Sequence, residues 1–289
     1  MRYFLTLLVA FFTLAAHAGP PQILLDVARF RNLNRVEKGA EVEIYVTVPT
    51  QSLQYRQRAP KAFQSAAVVT LDILKADGSS AYHEVITLKP PVLNDTTIAI
   101  KNPQSFLKRI LLPDGKYTLR GTVKDQYRSA GGETTVEKPL VLEGPTGPFI
   151  SDVVLLSRPA AKSGGDDNFA RGGYRLTRAA GGVYGRGADN VFFYTELHNA
   201  PVDQPLRVHY HLTTPDGSAA DADASLTPQS GRPTTIVGQI PLGPLPDGPF
   251  TLFIEVYGGP GNKKLLAGHR SIGQRASAEF GQVSAPAAK

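Results

Sequence analysis

Three histidines are the first side chains whose type and spacing could do chemistry. His209 and His211 lie two apart in an alternating stretch, so on a strand they share one face, and His198 ends a neighbouring stretch. Three imidazoles could bind zinc, and with acidic loop residues across a domain junction they could serve hydrolysis. No cysteine or suitably spaced acid joins them, and a His-x-His pair on an edge face is often only a surface pair. Asp166-Asp167-Asn168 and Asp221-x-Asp223 offer oxygens that calcium accepts. Acidic residues beside glycine are also the ordinary make-up of solvated turns. No nucleophile elbow, phosphate loop, dinucleotide fingerprint or zinc-protease helix occurs. The expectation is a non-enzyme with no catalytic residue, no cofactor and no metal.

Binding residues have two candidate locations. Residues 158–189 hold many glycines, with Phe169, Arg171, Tyr174, Arg175, Tyr184 and Arg186 among them. The stretch is too long for an ordinary loop. It reads either as a broken strand pair completing a sheet or as a binding loop rich in interface-favoured Arg and Tyr. Residues 51–61 carry Arg56, Arg58 and Lys61 beside Gln and Pro. This is either a solvated loop or a contact for an acidic surface such as lipid headgroups or polysaccharide. The formal charge of +6 is mild and spread out, and no basic stripe with interleaved aromatics suggests nucleic acid. The absence of Trp removes the usual aromatic platform for sugars. A carbohydrate site would have to use Tyr174, Tyr184 and nearby arginines instead.

The elements that must position these residues read as strands. Ala40 to Pro49 alternates, with Val42, Ile44, Val46 and Val48 on one face and Glu41, Glu43, Tyr45 and Thr47 on the other, the pattern of a half-buried strand. Strands are also expected at 22–30, 66–75, 81–88, 96–100, 116–125 and 136–142. Asp77-Gly78 marks a hairpin. About seven short strands in some 120 residues suggest an immunoglobulin- or fibronectin-III-like sandwich. A second set is expected at 190–198, 206–213, 234–240, 249–257 and 264–271, with short strands at 174–176 and 182–184.

The second set echoes the first. Leu112-Pro113-Asp114-Gly115-Lys116-Tyr117-Thr118-Leu119 returns as Leu245-Pro246-Asp247-Gly248-Pro249-Phe250-Thr251-Leu252. Leu25-Asp26-Val27 pairs with Ser151-Asp152-Val153, and Asp77-Gly78-Ser79 with Asp216-Gly217-Ser218. Val42 to Val48 pairs with Val191 to Leu197, which makes Tyr45 and Tyr194 equivalent; both are expected in sandwich packing with their hydroxyls at the rim. The fold class expected is all-β, with two tandem immunoglobulin/fibronectin-III-like sandwich domains at 19–143 and 149–274. Residues 144–148 form a Gly/Pro linker short enough to keep the two in contact, and 275–289 an Ala-, Ser- and Pro-rich disordered tail.

Residues 1–18 read as a cleaved signal peptide. Arg2 starts it, an apolar run follows, and Ala16-His17-Ala18 closes it. A periplasmic or secreted protein is expected, not a membrane-spanning one, because no later stretch is apolar and long enough. The complete lack of Cys suits a bacterial export compartment.

Several segments resemble the β-sandwich region preceding the GWxTD domain in exported proteins of Bacteroidetes and related bacteria. They are Asp26 to Phe30, Val42 to Tyr45, Leu112 to Tyr117, Phe169 to Tyr174 and Phe193 to Asn199. The Gly-Trp motif that names that family is absent, as the chain has no Trp. The resemblance implies an exported tandem sandwich and transfers no active site. The function expected is a binding or scaffold protein of the cell envelope, its partner another envelope protein or a surface polymer.

Overall fold

The computed structural model describes residues 19–31, 39–97, 102–164, 167–185, 187–202, 204–217, 219–243, 245–259, 261 and 263–276. The expected signal segment 1–18, Arg186, Asp166, residues 98–100 of the strand expected at 96–100 and residues from 277 lie outside the described residues, and 96–97 are not in a strand.

The described chain is all-β, with two short 3-10 turns and no α-helix. The strands of the first half are β1 (Leu24–Arg31), β2 (Ala40–Val48), β3 (Arg56–Ala59), β4 (Ala62–Gln64), β5 (Ala67–Lys75), β6 (Ser80–Leu88), β7 (Gln104–Leu112), β8 (Gly115–Asp125) and β9 (Glu133–Leu142). Short pieces follow: β10 (Phe149–Ile150), β11 (Val154–Leu156), β12 (Ala161–Lys162), β13 (Ala170–Arg171), β14 (Tyr174–Arg175) and β15 (Val183–Tyr184). The long strands of the second half are β16 (Asn190–His198), β17 (Leu206–Thr213), β18 (Ala219–Leu226), β19 (Thr234–Pro241), β20 (Gly248–Gly258) and β21 (Lys263–Arg275).

In the first half, sheet β1-β2-β7 packs on sheet β6-β5-β8-β9. Alternation explains the packing. Val42, Ile44, Val46 and Val48 of β2 point inward, as do Val69, Leu71 and Ile73 of β5 and Leu119 and Val123 of β8, all fully buried. In the second half, β16 is flanked by β10 and β11 on one side and β19 on the other, and this sheet packs on β15-β21-β20-β17-β18. Its core holds Val191, Phe193, Val208, Leu212, Leu252 and Ile254. Burying a Val, Leu or Phe side chain stabilises by roughly 1.5–3 kcal/mol, so each core can hold its own sheets together.

Strand order in the larger sheets is the same, β6-β5-β8-β9 against β18-β17-β20-β21. Each begins with a hairpin whose turn needs a left-handed glycine, Gly78 at φ 82° and Gly217 at φ 86°. Each Pro-Asp-Gly lies where the chain leaves the smaller sheet for the larger, between β7 and β8 and between β19 and β20. Tyr117 donates its hydroxyl proton to the Pro113 carbonyl, 3.0 Å away, and so pins the first crossing; Phe250 cannot do this at the second.

Besides the short pieces β10 to β13, which no expected strand covers, several elements differ from the sequence reading. Residues 104–112 form β7, where no strand is expected, and 219–226 form β18. Residues 51–61 contain most of an exposed hairpin, β3–β4, in place of a loop. The final strand runs to Arg275, beyond its expected end at 271 and onto the first residue of the expected tail.

Candidate functional site

The polar face of β2 is not at the surface. Glu41, Glu43, Tyr45 and Thr47 project away from the first core, and Tyr194, Glu196 and His198 of β16 project away from the second. These two faces are buried between the halves of the molecule, with residues 157–185 inserted beside them. Glu43 and His198 are both fully buried. A third apolar cluster of Ala28, Phe30, Val154, Leu156, Leu176 and Tyr194 fills the junction.

Charge at one end of the junction is closely matched. Arg171 of β13 binds Glu196 through Nε at 2.7 Å, Glu41 at 2.8 Å and Glu43 at 3.1 Å through Nη1. Its guanidinium lies 3.5 Å from the centre of the Phe30 ring. Arg109, paired with Glu43 across β2 and β7, donates to it at 2.8 Å and to the Ala170 carbonyl at 2.8 Å. Tyr45 donates to Glu43, and Tyr194 donates to Glu196 at 2.8 Å. His198 stacks on Phe149, and its Nε2 is 3.3 Å from Glu196, within ion-pair distance but short of hydrogen-bond geometry.

These contacts set the protonation states. Burial opposes ionisation of Glu43, but the Arg171 charge and the hydrogen bonds from Tyr45 and Arg109 outweigh it, and the carboxyl is held below its usual value. Glu196 is likewise held low against burial by His198, Arg171 and Tyr194. Burial pushes the Tyr45 and Tyr194 hydroxyls up, and the adjoining carboxylates push them further, so both are donors at neutral pH.

Local sequence explains how Arg171 arrives. Gly172 adopts φ +56°, which L side chains avoid. A Cβ there would also strike the Tyr194 hydroxyl and lie 2.8 Å from Thr235 Oγ1. The turn through Gly172 and Gly173 pairs β13 with β14 and carries Arg171 in between the carboxylates. Outside this cluster, Arg29 clasps Asp152 with two bonds of 2.7 Å from its guanidinium and accepts from the Asp152 amide at 3.1 Å.

The other end of the junction is a pocket of about 440 Å³. Phe169, Leu176, Ala180 and Val183 give it a largely apolar wall. Arg178 is part of that wall. It is held by a β-bridge to Leu156, and its guanidinium lies flat on the Tyr45 ring, 3.1 Å from the centre. Its Nε and Nη2 are buried and have no hydrogen-bond partner among the described residues.

The structure places the sequence candidates as follows. Arg171 is taken up inside the junction. Tyr184 is buried and donates to the Leu156 carbonyl at 3.0 Å, so it forms no exposed aromatic platform with the half-buried Tyr174. Phe169 lines the pocket, and Arg175 stays exposed, 3.1 Å from Asp167. Arg56, Arg58 and Lys61 stand on the exposed β3–β4 hairpin, with Arg58 over the Tyr127 ring. Both Tyr45 and Tyr194 point into the junction, where a hydroxyl at a sandwich rim was expected.

The three histidines do not converge. Val208, Tyr210 and Leu212 face the second core, so His209 and His211 lie on the outer side of β17, whereas His198 lies on the outer side of the opposing sheet. Among the described residues no group of three or more His, Asp or Glu could hold a metal ion. Asp223 is shared by Arg207 and His209, each at 3.2 Å.

Glu43, Arg109, Arg178 and Glu196 were not singled out from the sequence. The available signal is Glu43 and Glu196, each two residues from a tyrosine on a strand whose other face is mostly apolar.

No family model matches the chain, and no curated protein matches it. Among solved structures, similarity is distant. Red sea bream transglutaminase shares 9% identity over 87% of this chain and 31% of its own, with a TM-score of 0.25. The BSP domain of a biofilm associated protein shares 9% over 91% and 53%, with a TM-score of 0.23. A Bifidobacterium dentium beta-glucuronidase complexed with coumarin-3-O-glucuronide shares 9% over 89% and 48%, with a TM-score of 0.26. The chain therefore spans from about a third to about half of these proteins' lengths.

Proposed function

We propose that this chain is an exported, non-enzymatic binding or scaffold protein of the bacterial cell envelope, made of two copies of one sandwich design. The observation that supports it best is the junction. Its buried acids and bases neutralise one another and join the two halves, which is what a fixed two-sandwich body requires. The matching strand orders of the two larger sheets support duplication. The exposed β3–β4 hairpin with Arg56, Arg58 and Lys61 is the contact surface we favour for an acidic envelope partner.

The test is photo-crosslinking in intact cells from Gln57, with the outer β8 position Thr122 as control. A discrete protein adduct from Gln57 that weakens in R56E/R58E supports the reading. Recovery of bulk polysaccharide alone favours a carbohydrate-recognition module. Equal labelling from both positions rejects the hairpin as the contact.

A further inference from the structure

The junction pocket has a feature that the scaffold reading does not use. A guanidinium whose Nε and Nη2 are buried with no hydrogen-bond acceptor among the described residues is costly to hold there, although Tyr45, Asp26 and Glu43 lie near enough to favour its charge. Asp26 also lines the pocket, but its Oδ2 accepts from the Gly181 amide at 2.9 Å and its Oδ1 is 3.9 Å from Lys138. Arg175 at the same wall is already paired with Asp167. Among the described residues no carboxylate lies within ion-pair distance of Arg178, while Arg171 at the other end of the junction has three.

We propose that the pocket between the sandwiches binds a small monocarboxylate with an apolar body, with Arg178 as the anchor of its carboxylate. Rotation of the terminal side-chain torsions lifts the guanidinium fork off the Tyr45 ring and into the cavity. That exchanges a ring stack for a bidentate, charge-assisted pair. The hydrocarbon or aryl body lies against Phe169, Leu176, Ala180 and Val183. The volume of about 440 Å³ is within the usual range for a small-molecule site. Burial pushes the Arg178 guanidinium below the ordinary arginine value, so an incoming anion would relieve an existing penalty. This inference is independent of the scaffold reading, since either can fail while the other stands.

Isothermal titration of the full chain with octanoate, octanamide and acetate tests it. Octanoate should saturate at one site per chain, octanamide should bind at least tenfold more weakly, and acetate should show no saturation. R178Q should weaken octanoate at least tenfold. T177W adds bulk at an exposed wall position and should block octanoate even if R178Q folds poorly. Equal binding of octanoate and octanamide would overturn the proposal, as would undiminished binding in R178Q or T177W, or no saturation by octanoate at all.

Discussion

The two ends of the junction each hold a half-buried arginine, and the protein treats them differently. Arg171 meets three carboxylates, two of them inherited from β2 and one from β16, and stacks on Phe30. Arg178 lies seven residues later in the same inserted segment, stacks on Tyr45, and leaves Nε and Nη2 without a partner. Burial alone therefore does not define a structural charge. What separates the two is distance to the counter-ions: Glu41, Glu43 and Glu196 lie within ion-pair distance of Arg171, whereas Asp26 and Glu43 act on Arg178 only from farther away.

The comparison breaks most readily at Arg171. R171M should lower the unfolding free energy by about 3–5 kcal/mol, because it leaves Glu43 and Glu196 buried with too little positive charge. Urea denaturation measures this, and a loss below 1 kcal/mol would mean that the carboxylates find other partners.

Acid should also destabilise the unaltered protein. The folded values of Glu43 and Glu196 lie below 4.5, so the stability they contribute is complete above that pH. It is lost as pH falls through the depressed folded values. In R171M burial is no longer outweighed, both carboxyls rise, and acid should cost that variant less. Denaturation midpoints from pH 7 down to pH 3 for the two proteins distinguish these slopes.

G172A sharpens the comparison with a smaller effect. The φ of +56° and the collision with Tyr194 should cost about 2 kcal/mol. The substitution displaces Arg171 without removing it. Its pH dependence should therefore shift toward that of R171M, whereas octanoate binding at Arg178 should persist.

Much of the fold is legible in the sequence, and little of the junction is. β2 and β16 stand within a residue of their expected bounds, β2 because period-two alternation over nine residues has few other solutions and β16 because it echoes β2. β7 was missed because Lys108 and Arg109 interrupt its apolar run. β18 was missed because Asp221 and Asp223 belong to a type disfavoured in strands. Alternation also shows which side of β2 is polar, but not what covers it. The cover is the outer face of β16, some 150 residues later, together with one arginine chosen from several in a Gly-rich segment. Arg171, Arg175 and Arg178 look alike in sequence. Backbone path alone sends one to the carboxylates, one to the surface and one to the pocket wall.

The most direct test is to compare R171M and R178M by urea denaturation without ligand at pH 7. Arg171 should prove indispensable, with a loss of about 3–5 kcal/mol, whereas R178M should lie within about 1 kcal/mol of the parent, since an apolar chain replaces an unsatisfied cation. Equal losses in the two variants, or a larger loss in R178M, would contradict the division of roles between the two arginines.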